Sequence, residues 1–232
     1  MIKLEAFFKV HFRTKKISDN NLREFAQEHI SRLSSENPAG IYDGLIAETT
    51  ALYEIFRKAI TDEDTLIARR EGSTVAKNHA MKNFQKIISQ KEGLVRSAFG
   101  KNSGEYQEFF PQNIKEYLHA SMWKIDLIMI RFLAASIKYQ SVLGEDFINL
   151  FTQLKDDFIN ARNTQMELKG RISGAKTASR NARREMEKQL MINLLIIASN
   201  NVGEPNKVNI YFNQRLLKYR KHKPNKDKTT QP

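Results

Sequence analysis

The apolar residues of segment 45–110 recur in segment 147–212 at a constant offset of 102, without a gap. The matched pairs are Leu45 and Phe147, Leu52 and Leu154, Phe56 and Phe158, Ala59 and Ala161, Leu66 and Leu168, Ala76 and Ala178, Ala80 and Ala182, Phe84 and Met186, Ile88 and Leu190, Val95 and Ile197, and Phe110 and Phe212. Two amphipathic hairpins of similar length would share part of this agreement through helical periodicity alone. However, Gly72 also matches Gly174, outside the helical seams. The pattern therefore favours internal duplication of one helical unit.

The first copy opens with a helix that has a clear start and a clear end. Ser18, Asp19 or Asn20 can cap its first turn, and the helix is expected to end near Ser34, before the break Asn37-Pro38-Ala39-Gly40. One face of this predicted helix one carries the apolar residues Leu22, Phe25, Ala26, Ile30 and Leu33.

Predicted helix two begins near Asp43, and two segments compete to end it. Thr61-Asp62-Glu63-Asp64 has the composition of a cap, whereas Gly72-Ser73-Thr74 combines a terminator with a new cap. The second is favoured because its counterpart 169–174 is also rich in glycine. Predicted helix three then covers about 73–99 and folds back on helix two as a hairpin. Its inward positions are Ala76, Ala80, Phe84, Ile88 and Val95.

The second copy repeats this plan, with predicted helices four to six over about 111–140, 145–168 and 175–200. The predicted fold is all-α, with two repeated three-helix units, about six helices, packed as an up-down helical bundle. A minor two-stranded patch near the termini is an alternative for segments 8–12 and 207–212, which alternate like strands. The predicted domains are an N-terminal arm 1–17, helical repeat one 18–110, helical repeat two 111–212, and a basic, largely disordered tail 213–232.

Composition excludes several classes of protein. Cysteine is absent from all 232 residues, so disulfides, thiolate nucleophiles and thiolate metal sites are excluded, and a reducing cytoplasm is the expected location. The first 16 residues lack the unbroken apolar run of a secretory signal and are expected to be mature sequence. The most apolar stretch, 125–137, contains Asp126 and Arg131 and is far shorter than the roughly 20 residues that span a bilayer. It predicts a buried core helix and no membrane insertion.

Few residues have the spacing of a catalytic or metal site. No two of the five histidines stand three or four residues apart, and the paired Glu-x-x-His motifs that di-iron bundles carry on two helices are missing. The carboxylates at 62–64, 145–146 and 156–157 lack an identifiable partner that would perturb their pKa. Thr49, His79 and Arg131 are scattered polar residues, more typical of satisfied core or boundary positions. We therefore predict that the chain is not an enzyme and carries no metal and no cofactor.

Positive charge is the one sequence feature that points towards a function. The formal net charge is +12, and tail residues 213–232 carry seven Lys or Arg against one Asp. A second cluster of basic residues, Lys176, Arg180, Arg184 and Lys188, recurs every four residues on predicted helix six. Phosphate-backbone binding and a solvated, solubilising surface both account for such charge. The candidate nucleic-acid or anion contacts are Lys176, Arg180, Arg183, Arg184, Lys188, Arg215, Lys218, Arg220, Lys221 and Lys223.

Each copy ends in an aromatic arm, one over 105–110 and the other over 207–212. These arms follow helices instead of lining them, so they are expected either to cap the bundle or to form a contact with a partner protein. The candidate partner contacts are Phe109, Phe110, Tyr211 and Phe212.

Several packing motifs resemble those of an uncharacterised bacterial all-helical family with tandem helical-hairpin units. The motifs are Asn21-Leu22-Arg23-Glu24-Phe25-Ala26, Ala76-Lys77-Asn78, the helix end 94–99, and Phe110-Pro111-Gln112-Asn113-Ile114-Lys115-Glu116-Tyr117. The resemblance covers about 18–215 and implies the helical fold, but no assigned activity, cofactor or functional residue.

These observations predict a non-enzymatic helical structural or interaction module, monomeric or weakly self-associating, whose partner is another protein. The alternative is sequence-nonspecific nucleic-acid binding through predicted helix six and the basic tail.

Overall fold

The computed structural model describes residues 9–14 and 16–217, and the regular secondary structure of this part of the chain is all helical, with eight α-helices and no strand. The helices are α1 (Asp19–Ser35), α2 (Asp43–Phe99), α3 (Gly104–Phe109), α4 (Lys115–Leu118), α5 (Ile125–Lys138), α6 (Gln140–Leu143), α7 (Glu145–Ser199) and α8 (Pro205–Tyr211). Two short 3-10 turns lie at Pro38–Gly40 and Gln214–Leu217. The all-α prediction is confirmed.

Helix α1 forms where its sequence signals predict. The Ser18 hydroxyl accepts a hydrogen bond from the Asn21 amide at 3.2 Å and so caps the first turn. The helix ends at Ser35, and the chain then turns through Ala39 and Gly40, whose φ angles are +51° and +75°. Glycine adopts positive φ readily, so the predicted break lies where the backbone needs it.

Helices α2 and α7 contradict the predicted hairpins, because each is one continuous helix through the glycines expected to end it. The Ser73 and Thr74 hydroxyls bond back to the Arg70 carbonyl, at 2.8 and 2.9 Å, instead of capping a new helix. A glycine inside a helix costs only about 1 kcal/mol relative to alanine, which neighbouring packing readily offsets. Gly72 and Gly174 therefore lie within helices, and Ala76, predicted to face inward, is exposed.

The predicted helix over 111–140 is interrupted instead. Asn113 adopts a φ of +59°, and α4 ends at Leu118, before α5 begins at Ile125. The break turns Tyr117 into the interior, where it is fully buried and its hydroxyl donates to the Phe109 carbonyl. A straight helix through this segment would not satisfy that contact.

The aromatic arms are also helical, so the predicted two-stranded patch is wrong for the described residues. The first arm lies in α3, whose Ser103 hydroxyl accepts from the Tyr106 amide at 3.0 Å. The second lies in α8, which begins at Pro205, a residue suited to a first helical position. Residue 8, part of the other proposed strand, lies outside the described residues.

The chain forms two compact units, one discontinuous and one continuous in sequence. The discontinuous unit comprises Met1–Asp64 and Ser173–Pro232, and the continuous unit comprises Thr65–Ile172. Within each unit a stretch of α2 pairs with a stretch of α7, as the hydrogen bonds from Asn193 to Thr49 and from Gln165 to Thr74 show.

The core of the discontinuous unit is built from α1, α8 and the adjoining parts of α2 and α7. Its fully buried side chains include Phe25, Leu33, Tyr42, Phe56 and Met186. The turn Gln214–Leu217 also packs here through the half-buried Leu216 and Leu217, so the first residues of the predicted disordered tail are ordered. Residues 218–232 lie outside the described part of the chain.

The core of the continuous unit is dominated by aromatic rings. Phe132 of α5 lies at its centre, with ring centroids 4.4 Å from Phe151 and 5.2 Å from Phe109. The other buried rings are Phe84, Tyr106, Phe110, Tyr117, Phe147 and Phe158.

Candidate functional site

Helix α5 presents an apolar stripe to solvent. One of its faces is buried through Ile125, Ile128, Met129, Phe132 and Ala135. The opposite face carries the exposed residues Trp123, Leu127, Ile130, Ala134 and Ile137, which we call the α5 stripe. Trp123, Leu127 and Ile130 are 82, 68 and 53% exposed. The prediction of a buried core helix is therefore only half correct, because the continuous unit covers one face of α5 and leaves the other open.

The α5 stripe has the spacing of a coiled-coil seam. Its residues follow one another at intervals of four, three, four and three, which places them at alternating core positions of a heptad. The Ile125 amide donates to the Ser121 carbonyl at 3.1 Å, so the helical turn extends back over Trp123. Such a seam normally packs against a second helix, whereas among the described residues no helix lies over it.

Ion pairs fix α5 in the continuous unit. Arg131 makes a two-pronged contact with Glu116, at 3.1 and 2.6 Å, and this bond raises the pKa of the guanidinium against the opposing effect of burial. Lys138 binds Glu108 at 2.7 Å, and Asp126 pairs with Arg162 of α7. Arg131, singled out from sequence, is thus a paired boundary residue that orients the stripe.

A groove of about 580 Å³ adjoins the Trp123 end of the stripe. Apolar side chains, Met122, Trp123 and Met166, share its walls with the cations Lys77, Arg162 and Lys169. The Lys77 ammonium donates to the Gln165 side chain at 3.0 Å, and Gln165 in turn donates to Thr74. The groove therefore has fixed walls and a positive rim.

The basic face predicted for helix six exists on α7, within the discontinuous unit. Lys176, Arg180, Arg184 and Lys188 are all exposed, and in the described part of the chain none of them forms an ion pair. Arg183 differs from them, because it binds Asp19 and Glu187 and donates to the Ile17 carbonyl at 2.8 Å. It therefore serves the structure and is not available to a polyanion.

A cleft of about 570 Å³ lies beside this basic face, between α7 and the segment that leads into α1. Its charged lining residues are Arg13, Arg180, Arg183, Arg184, Asp19 and Glu187. Glu187 is only 3% exposed and is held by Arg183 at 2.7 Å and by Arg13 at 3.4 Å. Arg13 and Arg183 thereby balance the charges of Asp19 and Glu187. The cleft is left with the positive charge of Arg180 and Arg184.

A buried polar cluster in the discontinuous unit was missed by the sequence analysis. His29 is 1% exposed, and its Nδ1 lies 2.9 Å from the Tyr211 carbonyl, so this nitrogen carries the proton. The Asn193 side-chain amide then donates to His29 Nε2 at 3.0 Å and to Thr49 at 2.7 Å, and it accepts from Gln189 at 2.9 Å. Burial lowers the pKa of His29 to about 4, against the opposing hydrogen bond to Tyr211.

That polar cluster is fully enclosed, so it supports the fold and offers no access to a substrate. Thr49 belongs to it as a satisfied core residue, whereas His79, the other polar residue noted from sequence, is exposed on α2. His29 did carry a sequence signal, since it lies on the apolar face of α1 with Phe25, Ala26 and Leu33.

The aromatic candidates for partner contact lie in the two cores. Phe109 and Phe110 are at most 1% exposed in the continuous unit, and Tyr211 and Phe212 are 8 and 6% exposed in the discontinuous unit. Both pairs therefore pack within the cores, which leaves little of the four rings exposed.

The remaining basic candidates belong to the tail. Arg215 is exposed in the last 3-10 turn. Lys218, Arg220, Lys221 and Lys223 lie outside the described residues.

Comparison with known proteins identifies no relative: no protein-family model, curated protein or solved structure matches the chain significantly. The resemblance to an uncharacterised bacterial helical family therefore stays a prediction. Across residues 9–14 and 16–217, no group of three His, Asp or Glu side chains is placed to hold a metal ion. Within the same residues, every helix is too short or too polar to cross a membrane.

Proposed function

We propose that the chain is a non-enzymatic helical interaction module that docks another α-helix on the α5 stripe. The observation that carries this proposal is the exposed α5 stripe, Trp123–Ile137, whose residues have heptad spacing. Ion pairs hold the helix that carries it in the continuous unit. A helix that is apolar on all sides is normally buried on all sides. Exposed apolar patches that are contiguous and rimmed by polar residues mark interaction sites.

The seam favours a helical occupant over an extended peptide. A strand presents alternate side chains to one face, whereas intervals of four and three accept the knobs of a second helix. Trp123 is the single tryptophan of the chain and lies at one end of the stripe, so its intrinsic fluorescence reports on docking there.

The proposal is tested by titrating the full chain with a synthetic three-heptad amphipathic helix that has leucine at its core positions. Docking should shift Trp123 emission to shorter wavelength and protect it from a soluble quencher. Leu127→Lys with Ile130→Lys should weaken binding at least tenfold, since each buried aliphatic side chain contributes about 1.5–3 kcal/mol.

Ile55→Lys, at a 57% exposed isoleucine of α2, is the matched control and should bind like the unmodified chain. Circular dichroism confirms that each variant is folded. Equal binding by the double lysine variant, or no change in Trp123 emission at any peptide concentration, would refute the proposal.

A second function, binding of a nucleic-acid backbone, is favoured by the exposed cations on α7. Lys176, Arg180, Arg184 and Lys188 project from one face every four residues, and phosphate contacts need charge without base recognition. We infer that the Arg180–Arg184 cleft would form the centre of such a surface, extended by the basic tail.

This second function is tested by titrating double-stranded DNA and single-stranded RNA into the full chain at low and physiological salt. Binding should fall steeply with salt, and Arg180→Gln with Arg184→Gln should reduce the slope by about two ion equivalents. A chain ending at Leu217, which keeps the packed turn Gln214–Leu217, measures the contribution of the rest of the tail. Lys77→Gln, a cation of the other unit, is the control, and binding that ignores both salt and the arginines would exclude this function.

We also infer that the chain arose by duplication of one helical unit. Support comes from matched positions that are buried in both copies, namely Phe56 and Phe158, Phe84 and Met186, Ile88 and Leu190, Val95 and Ile197, and Phe110 and Phe212. Ala76 and Ala178 are both exposed, so their agreement does not come from core packing.

The lack of cysteine supports a reducing location such as the cytoplasm.

A further inference from the structure

We infer that the helix docked on the α5 stripe is the α5 stripe of a second copy of this chain, packed antiparallel. This inference rests on the proposed helix-docking function and names its occupant. It is carried by the self-complementarity of the stripe residues and by the area that the stripe offers, and the charges beside the stripe do not oppose it.

Reversing one stripe about the midpoint between Ile130 and Ala134 places an aliphatic or small side chain of the second copy opposite each large residue of the first. Ile130 then faces Ala134 of the second copy, and Leu127 faces Ile137. Trp123 lies towards α6 of the second copy, whose Ser141 and 56% exposed Val142 follow the stripe after the break at Tyr139. A two-fold interface needs this self-complementarity, since the same patch serves both sides.

A parallel arrangement fits the same residues poorly. It would place Trp123 against Trp123 and Ala134 against Ala134, which crowds one end of the seam and leaves a void near the other. Core packing tolerates neither overpacking nor voids well.

The charges beside the stripe do not oppose the antiparallel dimer. The two Arg131 residues would approach each other at the dyad, but each guanidinium is already bound by its own Glu116. Lys138 is likewise bound by Glu108, so Lys124 of the second copy, which forms no ion pair among the described residues, meets a neutral pair there. On the other flank, the half-buried Leu133 meets its own copy.

The exposed area sets the strength of the dimer. The stripe offers roughly 500 Å² of apolar side-chain surface, given that a tryptophan alone provides about 200 Å². Pairing two stripes removes about 1,000 Å² in total, the lower limit for a specific interface. We therefore expect a weak dimer with a dissociation constant on the order of 100 µM.

Sedimentation equilibrium of the full chain, from about 5 to 500 µM, tests this range of weak affinities. The unmodified chain and the Ile55→Lys control should dimerise alike, and Leu127→Lys should raise the dissociation constant at least tenfold. Trp123 emission should shift to shorter wavelength over the same concentration range.

Cysteine pairs test the orientation, because the chain has no cysteine of its own. Under oxidation, an equal mixture of Leu127→Cys and Ile137→Cys chains should form the mixed disulfide dimer. Leu127→Cys alone should stay largely uncrosslinked, since its copies lie ten residues apart along the antiparallel seam.

Three outcomes would overturn the inference. They are a monomer across the whole concentration range, self-association that Leu127→Lys leaves unchanged, and efficient crosslinking of Leu127→Cys alone. The synthetic-helix titration separates this failure from failure of the proposed function. If the chain stays monomeric yet binds the synthetic helix through the stripe, the proposed helix-docking function holds, but its occupant is not a second copy of the chain.

Discussion

Lowering the pH from 7 to 4 should destabilise the discontinuous unit through one buried histidine, His29. In the folded chain its pKa is about 4, because burial disfavours the charged ring, whereas in the unfolded chain it returns to 6.5. The neutral form is thus favoured by folding, and its contribution to stability is complete above pH 6.5. The contribution is lost as the pH falls from 6.5 towards 4, because the unfolded chain takes up the proton first.

The size of the loss follows from the difference between the two pKa values. One pKa unit corresponds to 1.36 kcal/mol, so the free energy of unfolding should fall by about 2 kcal/mol at pH 5 and by about 3 kcal/mol at pH 4. The hydrogen bonds point the same way. A proton on Nε2 would face the Asn193 amide, which already donates to that nitrogen.

The assay is urea denaturation at pH 7, 6 and 5, comparing the unmodified chain with His29→Gln. Glutamine can donate to Tyr211 and accept from Asn193 but does not titrate, so the difference between the two curves isolates His29 from the carboxylates. His79→Gln, at an exposed histidine, should leave the profile unchanged. A difference between the unmodified chain and His29→Gln that stays constant within about 0.5 kcal/mol from pH 7 to 5 would refute the reasoning.

Two further substitutions probe the helices and the polar cluster. Gly72→Ala should stabilise the chain by about 0.5–1 kcal/mol, because Gly72 lies inside α2 with open space around an added methyl group; a lower melting temperature would instead indicate a helix end there. Asn193→Ala should destabilise it by about 2–4 kcal/mol in urea denaturation, since it removes three buried hydrogen bonds and leaves Gln189 and Thr49 without that partner; a loss below about 1 kcal/mol would mean that the cluster is hydrated.

Sequence patterns predicted the structure correctly where it depends on residues that are close together in the chain. The cap at Ser18 and the turn at Ala39 and Gly40 each depend on residues a few positions apart, and both form where predicted. They failed at Gly72, because the hydroxyls of Ser73 and Thr74 can either accept from a first-turn amide or donate to the Arg70 carbonyl. Packing of α2 against distant segments decided that choice, and such contacts are not encoded nearby.

The candidate surfaces show the same division. The exposed cations of α7 follow directly from four-residue spacing, so Arg180 and Arg184 lie where the sequence places them. Arg183 could not be separated from them, because its partner Asp19 is 164 positions away. The apolar length of α5 was evident, but which face remains open depends on how many helices the continuous unit brings to it.

The division of the chain into a continuous and a discontinuous unit has a consequence for synthesis on the ribosome. Thr65–Ile172 is complete before the last quarter of the chain has been made, whereas Met1–Asp64 lacks its structural complement until Ser173 and later residues emerge. At about 5–20 residues per second, the amino-terminal segment waits several seconds with Phe25, Leu33 and Phe56 uncovered. The amino-terminal segment therefore completes its packing only after the continuous unit has been synthesised, and until then its apolar side chains are open to a chaperone.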